Sequence, residues 1–345
     1  MPSEQHTAEG RRAYGSQASH PDEFRADLDA LNVFDPSYAL GYFRRLEVLL
    51  DACPVDIYAA SSLKHPWPYR LQNAAECYPA SFWRSQERIL DSAIVAPELS
   101  NADVLEHAVE RHATAVVAKD YLPFEAYEEM YQKEKLSEEQ ILAVRDIEAK
   151  HGDHIAATTE SIREFADLYD PSIHPDTAYI PLQPPHDEHV REVWDLVENS
   201  DLQHRYMLGG FKDATPADRI EGLLAFRAEV GPEPVAHGLG WGLSDELVRF
   251  IRDEPEMLDS VDNSGPAQAI QNGKVLDKHW RANPCAQVDG QYQNAVGGAF
   301  EFAMLVQAAH RFTEFNDDFV ELTPEDLRED GQVGLEDLGG ARADD

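Results

Sequence analysis

Short apolar runs alternate with amphipathic stretches along this chain, and polar residues close most of those runs. No G-x-G-x-x-G follows the first run. Together these features predict an α/β protein, a (β/α)8 TIM barrel with a helical insert after the third strand. The alternation calls for parallel strands joined by helices. The missing glycine fingerprint argues against an open dinucleotide-binding sheet. In a barrel, polar strand ends converge on one mouth, whereas in an open sheet they would be strung along an edge.

In chain order, residues 1–25 are polar and without apolar period and read as a disordered arm. The barrel is expected over 26–322. Its strand candidates are VDIYAAS (55–61), RILDSAIVA (88–96), ATAVVAKDYL (113–122), AYIPLQ (178–183), RYMLGG (205–210), EPVAHGLG (233–240) and EMLDSVD (256–262). Helices separate them. Asn101 caps one whose Val104, Leu105, Ala108 and Val109 share a face, and Thr215-Pro216 opens another that buries Ile220, Leu223 and Leu224. Ser244 caps a third, with Leu247, Val248 and Ile251 on one side, and GAFEFAMLVQAAHRFTEF is a long, mostly apolar helix expected to pack on the barrel. Strand spacing is even except between Asp120 and Gln183, where 63 residues intervene. A charged helical insert, about 124–170, fills that gap and is a candidate to meet substrate or a second copy in a homodimer. Residues 323–345 read as an acidic tail.

The 345 residues carry 29 Lys+Arg against 65 Asp+Glu, a formal net charge of −36. Lysine is confined to positions 64, 119, 133, 135, 150, 212, 274 and 278, and the acidic residues are spread over every segment. That composition suits a halophilic archaeon or its virus, whose proteins work in molar salt. There the Debye length falls to ~3 Å, so negative charge does not exclude nucleic acid as a partner. With no apolar stretch of membrane-spanning length, the expectation is a soluble cytoplasmic protein with no membrane partner. Three scattered cysteines, Cys53, Cys77 and Cys285, do not make a disulfide framework.

Two aspartates occupy similar contexts, Leu90-Asp91-Ser92 and Leu258-Asp259-Ser260. Either could simply cap a loop. Facing each other across a mouth, they could instead divide labour as nucleophile and acid/base. Asp120 would be a third carboxylate there. Gln183 offers both a donor and an acceptor to a planar heterocycle, and Gly209-Gly210 allows close backbone approach. His237 precedes Gly238 at a strand end. The pairs His186/His189 and His151/His154 sit in highly charged segments and read as solvated helix faces.

Taken in order over about 86–315, these segments resemble the tRNA-guanine transglycosylase superfamily. ILDSA (89–93) resembles the strand that carries the family's general acid/base, here Asp91. KDYL places Asp120 where a base-recognising Asp sits, and IPLQ ends in the base-contacting Gln183. MLGGF resembles the Gly-Gly turn that reads the base, giving Gly209, Gly210 and Phe211, and AHGLG resembles the strand that follows, giving His237. LDSV resembles the strand bearing the nucleophile, here Asp259. Ala93-Ile94 stands where the family has Gly-Gly. Of its zinc cluster only Cys285 and His310 have counterparts, so zinc would be structural at most and the chemistry needs no cofactor.

The compact chain is most similar to the DpdA group, which inserts 7-deazaguanine bases into DNA. The resemblance implies DNA and a free base, 7-cyano-7-deazaguanine, as partners. It implies a pentosyltransferase in which Asp259 attacks C1′, a covalent glycosyl-enzyme forms, and Asp91 manages the proton. The alternatives are a tRNA-guanine transglycosylase, a metal-dependent barrel hydrolase using Asp91, Asp120 and His237, and an inert acidic barrel acting as a scaffold.

Overall fold

The computed structural model describes residues 46 and 49–313, except 212–213, 278–279 and 293–294. The expected arm and tail lie outside the described residues. Eight parallel strands close into a barrel in chain order: β1 (Asp56–Ala59), β2 (Tyr69–Asn73), β3 (Glu87–Asp91), β4 (Ala115–Val117), β5 (Thr177–Leu182), β6 (Arg205–Leu208), β7 (Val235–Gly238) and β8 (Ser260–Asn263). β8 closes on β1 with Asp56 opposite Ser260 and Ala59 opposite Asn263. The fold class expected from the alternation is therefore observed.

Alternate residues of each strand fill the barrel. Tyr58, Leu71, Ile89, Ala115, Val117, Tyr179 and Met207 form its interior cluster. The opposite faces pack outward against the helices, in a larger cluster that includes Ile57, Leu90, Val116, Ile180, Leu208 and Val261. Among the described residues the longer helices are α1 (Asn101–Glu110), α2 (Phe124–Gln132), α3 (Glu138–His151), α4 (His154–Leu168), α5 (His186–Glu198), α6 (Pro216–Val230), α7 (Asp245–Asp253), α8 (Gly265–Gln271) and α9 (Ala295–Phe312). Ser100, Ser137 and Thr215 each close a reciprocal capping box at the start of α1, α3 and α6, which fixes where those helices begin.

Four expectations need correction. Ser100 rather than Asn101 caps α1, and Leu224, expected to be buried, is exposed. β2 was not foreseen, because its sequence YRLQN is half polar: Arg70 and Gln72 are buried outside the barrel wall, beneath the β1–β2 loop. Arg70 donates to the Ser61 carbonyl and Gln72 Nε2 donates to the same oxygen, at 2.8 and 2.7 Å. The 124–170 segment consequently follows the fourth strand, not the third. Within it, α4 packs against β5, α1 and α5 as an ordinary crossover helix. α2 and α3 instead build their own small core from Tyr127, Leu136, Ile141 and Val144.

Between β8 and α9, a short hairpin of β9 (Lys274–Leu276) and β10 (Ala282–Pro284) packs with α8 around Leu63, Ile270, Cys285, Val288 and Met304. No helix among the described residues is long and apolar enough to cross a membrane.

Candidate active site

The strands' C-terminal ends form one mouth, and three carboxylates meet there. Asp91 ends β3, Asp120 follows β4, and Asp262 is the third residue of β8. Period-two alternation explains two of them: Ile89 and Asp91 point inward on β3, and Ser260 and Asp262 do so on β8.

Asp120 is buried and fully engaged. Ser92 Oγ donates to its Oδ1 at 3.0 Å and Gln183 Nε2 donates to its Oδ2 at 2.8 Å. Asp91 is half-buried and accepts the Ser92 N–H at 2.9 Å. Burial first, then the charges of Asp120 and Asp262, push the Asp91 carboxyl up to about 7, against the opposing pull of the Ser92 N–H and Lys119. Burial likewise raises Asp120, opposed by Ser92, Lys119 and Gln183. Like charges packed this closely cannot all ionise easily, so near neutral pH the Asp91–Asp120 pair holds a proton. Asp262, 7% exposed, accepts the Gly240 N–H on Oδ1.

Asp259 does not join this site. It lies before the first residue of β8, at the barrel's other end, and its side chain is 51% exposed. Its Oδ2 accepts the Ala236 N–H at 2.7 Å and pairs with Arg227 at 3.4 Å. The segment 256–262 is not one strand. Pro255–Met257 is a 3-10 turn, Leu258 is buried in the outer core, and the strand proper starts at Ser260. Asp262, three residues on, occupies the position expected of Asp259. The Asn-Ser-Gly-Pro that follows it is a strand-ending signal the sequence carried.

Gly209 and Gly210 reach the mouth as expected. Gly210 is exposed with φ +77°, and a Cβ there would meet the Pro184 ring at 2.6 Å. Phe211 is core rather than rim, buried against His186 and Trp241 with ring centroids 5.1 and 5.4 Å away. His237 is fully buried inside the barrel, below the rim, so it cannot lie against a base.

His186 and His189, expected on a solvated face, are buried and brace the mouth. His189 Nδ1 accepts the Gln183 N–H at 2.9 Å and its Nε2 faces Thr159 Oγ1 at 3.2 Å. His186 Nε2 donates to the Gly209 carbonyl at 2.9 Å. Burial lowers both imidazoles to about 4, so each is a neutral ring carrying its proton on Nε2. Helical spacing alone could not separate a buried His at a helix start from an exposed one.

Cys285 is buried in the α8–hairpin cluster, and its thiol faces Gln287 Oε1 at 3.1 Å. Among the described residues no group of three or more His, Cys, Asp or Glu could hold a metal ion. Cys285 and His310 therefore belong to no such group among the described residues.

The chain matches no protein-family model and no curated protein.

Proposed function

We propose that this protein is a guanine transglycosylase acting on DNA, exchanging guanine for a 7-deazaguanine base such as 7-cyano-7-deazaguanine. One observation carries the reading. A carboxyl that holds a proton near neutrality, Asp91, shares a mouth with a second carboxylate, Asp262, at the end of another strand of the same barrel. Two carboxyl groups in unlike environments suffice to break and remake a glycosidic bond. The ordered resemblance of the segments to the transglycosylase superfamily suggests the substrate class, and the resemblance to the DpdA group suggests DNA.

In this reading Asp262 Oδ attacks C1′ as the C1′–N9 bond breaks, and Asp91 gives its proton to the departing guanine. The product is a glycosyl ester on Asp262 with Asp91 ionised. A free deazapurine then gives its ring N–H proton to Asp91 and attacks C1′. The C1′–O bond breaks and both carboxyl groups return to their starting states. Asp120, held by Ser92 and Gln183, braces the floor of the mouth beside Asp91, and exposed Gly210 lies at its rim. A base in duplex DNA must be flipped out at a cost of a few kcal/mol, so single strands react faster.

The test is incorporation of labelled guanine, or of 7-cyano-7-deazaguanine, into plasmid DNA and into total tRNA at molar salt. Label in DNA supports the proposal, label in tRNA alone transfers it to RNA, and label in neither removes it. Asp262→Ala should abolish both exchange and any covalent protein–DNA adduct, whereas Asp259→Ala should keep both. The reverse pattern would overturn the assignment of the nucleophile.

A further inference from the structure

His237 and Ser260 are register partners on β7 and β8, both facing the barrel interior directly beneath Asp262. His237 Nδ1 lies 2.8 Å from Ser260 Oγ. Its Nε2 is buried, has no hydrogen-bond partner among the described residues, and lies 3.6 Å from Asp262 Oδ1. The ring cannot swing away. The edges and faces of Tyr58 and Tyr179 hold it, with centroids 5.5 and 6.2 Å off at 73° and 66°. Tyr58 is itself anchored by its hydroxyl, which donates to Glu87 Oε2 at 2.8 Å.

A neutral imidazole has one donor and one acceptor nitrogen, and the hydrogen bond at one decides the role of the other. A buried Nε2 lone pair aimed at a carboxylate would be repelled, whereas an Nε2–H there is attracted. Ser260 can then give its hydroxyl proton to Nδ1, which leaves every group in the row Ser260–His237–Asp262 with a favourable neighbour.

We propose that His237 is a positioning residue for Asp262: through the Ser260 hydroxyl it keeps its proton on Nε2, aimed at the Asp262 carboxylate. Its kinetic consequence rests on the exchange reading above. As an ester, Asp262 has lost most of its charge and draws little from the Nε2–H. When the C1′–O bond breaks, the electron pair returns to the carboxylate and the donor stabilises it. His237 therefore speeds release of the sugar from Asp262 more than it speeds attack.

The test uses the full chain with labelled single-stranded DNA. Without free base, the covalent fraction is read on denaturing gels; guanine is then added and clearance of the adduct is timed. His237→Phe should clear the adduct about threefold or more slowly, the loss of an electrostatic N–H contact at 3.6 Å rather than of a full hydrogen bond, and should raise the covalent fraction. His237→Gln, whose amide can donate from near the Nε2 position, should restore much of the rate. If His237→Phe does not fold, Ser260→Ala serves instead and should slow clearance by a smaller factor.

Clearance within twofold of the parent, or equal slowing of attack and clearance, overturns the proposal. A second measurement does not depend on catalysis: nitrogen NMR of the imidazole should find the Nε2–H form, with a signal that moves in Asp262→Asn. An Nδ1–H ring overturns the proposal whatever the enzyme does. A parent protein that forms no adduct removes the functional reading and leaves the NMR result to decide this one.

Discussion

At the scale of single residues, the mouth is a place where stability is given up. The Asp91 carboxyl is raised from 3.8 to about 7, so the folded state binds its proton more tightly than the unfolded chain does. Stability linked to that proton is fully present below the ordinary carboxyl range and falls as pH rises from about 4 to about 7. Asp91→Asn removes the loss. It should stabilise the fold at pH 8, by at most about 4 kcal/mol at ~1.4 kcal/mol per unit and seen as a higher melting temperature, with no gain at pH 3.5. Thermal melts of parent and variant across pH 3.5–8 check this, and a gain that is equal at both ends would refute it. Gly210→Ala should act in the opposite direction. The φ of +77° disfavours any side chain, and the added methyl meets Pro184 at 2.6 Å, so a loss of about 2 kcal/mol in denaturant titrations is expected.

Elements decide how much of this could be read in advance. β5 ends just before Gln183 after a clean apolar run, so the run itself places Gln183 at the mouth, whereas β3 stops at Asp91 inside the apolar-rich 88–96 segment, an end its local sequence does not mark. β8 was legible as a strand but not in its register. Leu90-Asp91-Ser92 and Leu258-Asp259-Ser260 look alike, yet the first ends a strand and the second precedes one. Local sequence does not say which end of a strand an Asp-Ser pair marks; here the pairing of Ser260 with Asp56 and His237 does. β2 was hidden because its outward residues are satisfied by partners distant in sequence. Arg70 is fully buried among Ser61, His65 and Ser85, and Glu301 of α9 accepts from Ser61 Oγ at 2.8 Å and faces His65 Nε2 at 2.9 Å. Despite its burial, the charges and hydrogen bonds of His65, Arg70 and Ser61 hold the Glu301 carboxyl below its usual range. This network fastens α9 to the barrel wall. Glu301→Ala would leave the Arg70 charge buried without its counter-charge and should cost about 3–5 kcal/mol, read as a lower denaturant midpoint with the same slope.

Over the whole molecule, two electrostatic effects oppose each other, and their sizes decide the response to salt. Even if each of the 29 basic residues paired with an acidic one, 36 of the 65 carboxylates would remain uncompensated. Their mutual repulsion acts at ranges comparable with the ~8 Å Debye length of 0.15 M salt and is largely screened at ~3 Å in 1 M. Salt also weakens attractive pairs. The exposed ones, such as Lys133–Glu129 and Arg191–Asp187, are i,i+4 contacts worth only ~0.3–0.5 kcal/mol each. The Glu301–His65 contact is a buried hydrogen bond, burial lowering the His65 ring to about 4 and so keeping it neutral, and salt does not screen it. Relief of repulsion therefore outweighs the loss of surface pairs, and the fold should gain stability with salt. Between 0.15 M and 2 M KCl the melting temperature should rise by about 5 °C or more, equivalent to roughly 3 kcal/mol for a domain of this size. The same sucrose osmolality provides the control, since it strengthens burial without screening charge. A melting temperature that stays flat in KCl, or that rises equally in sucrose, would mean that the acidic surface is not what limits stability at low salt.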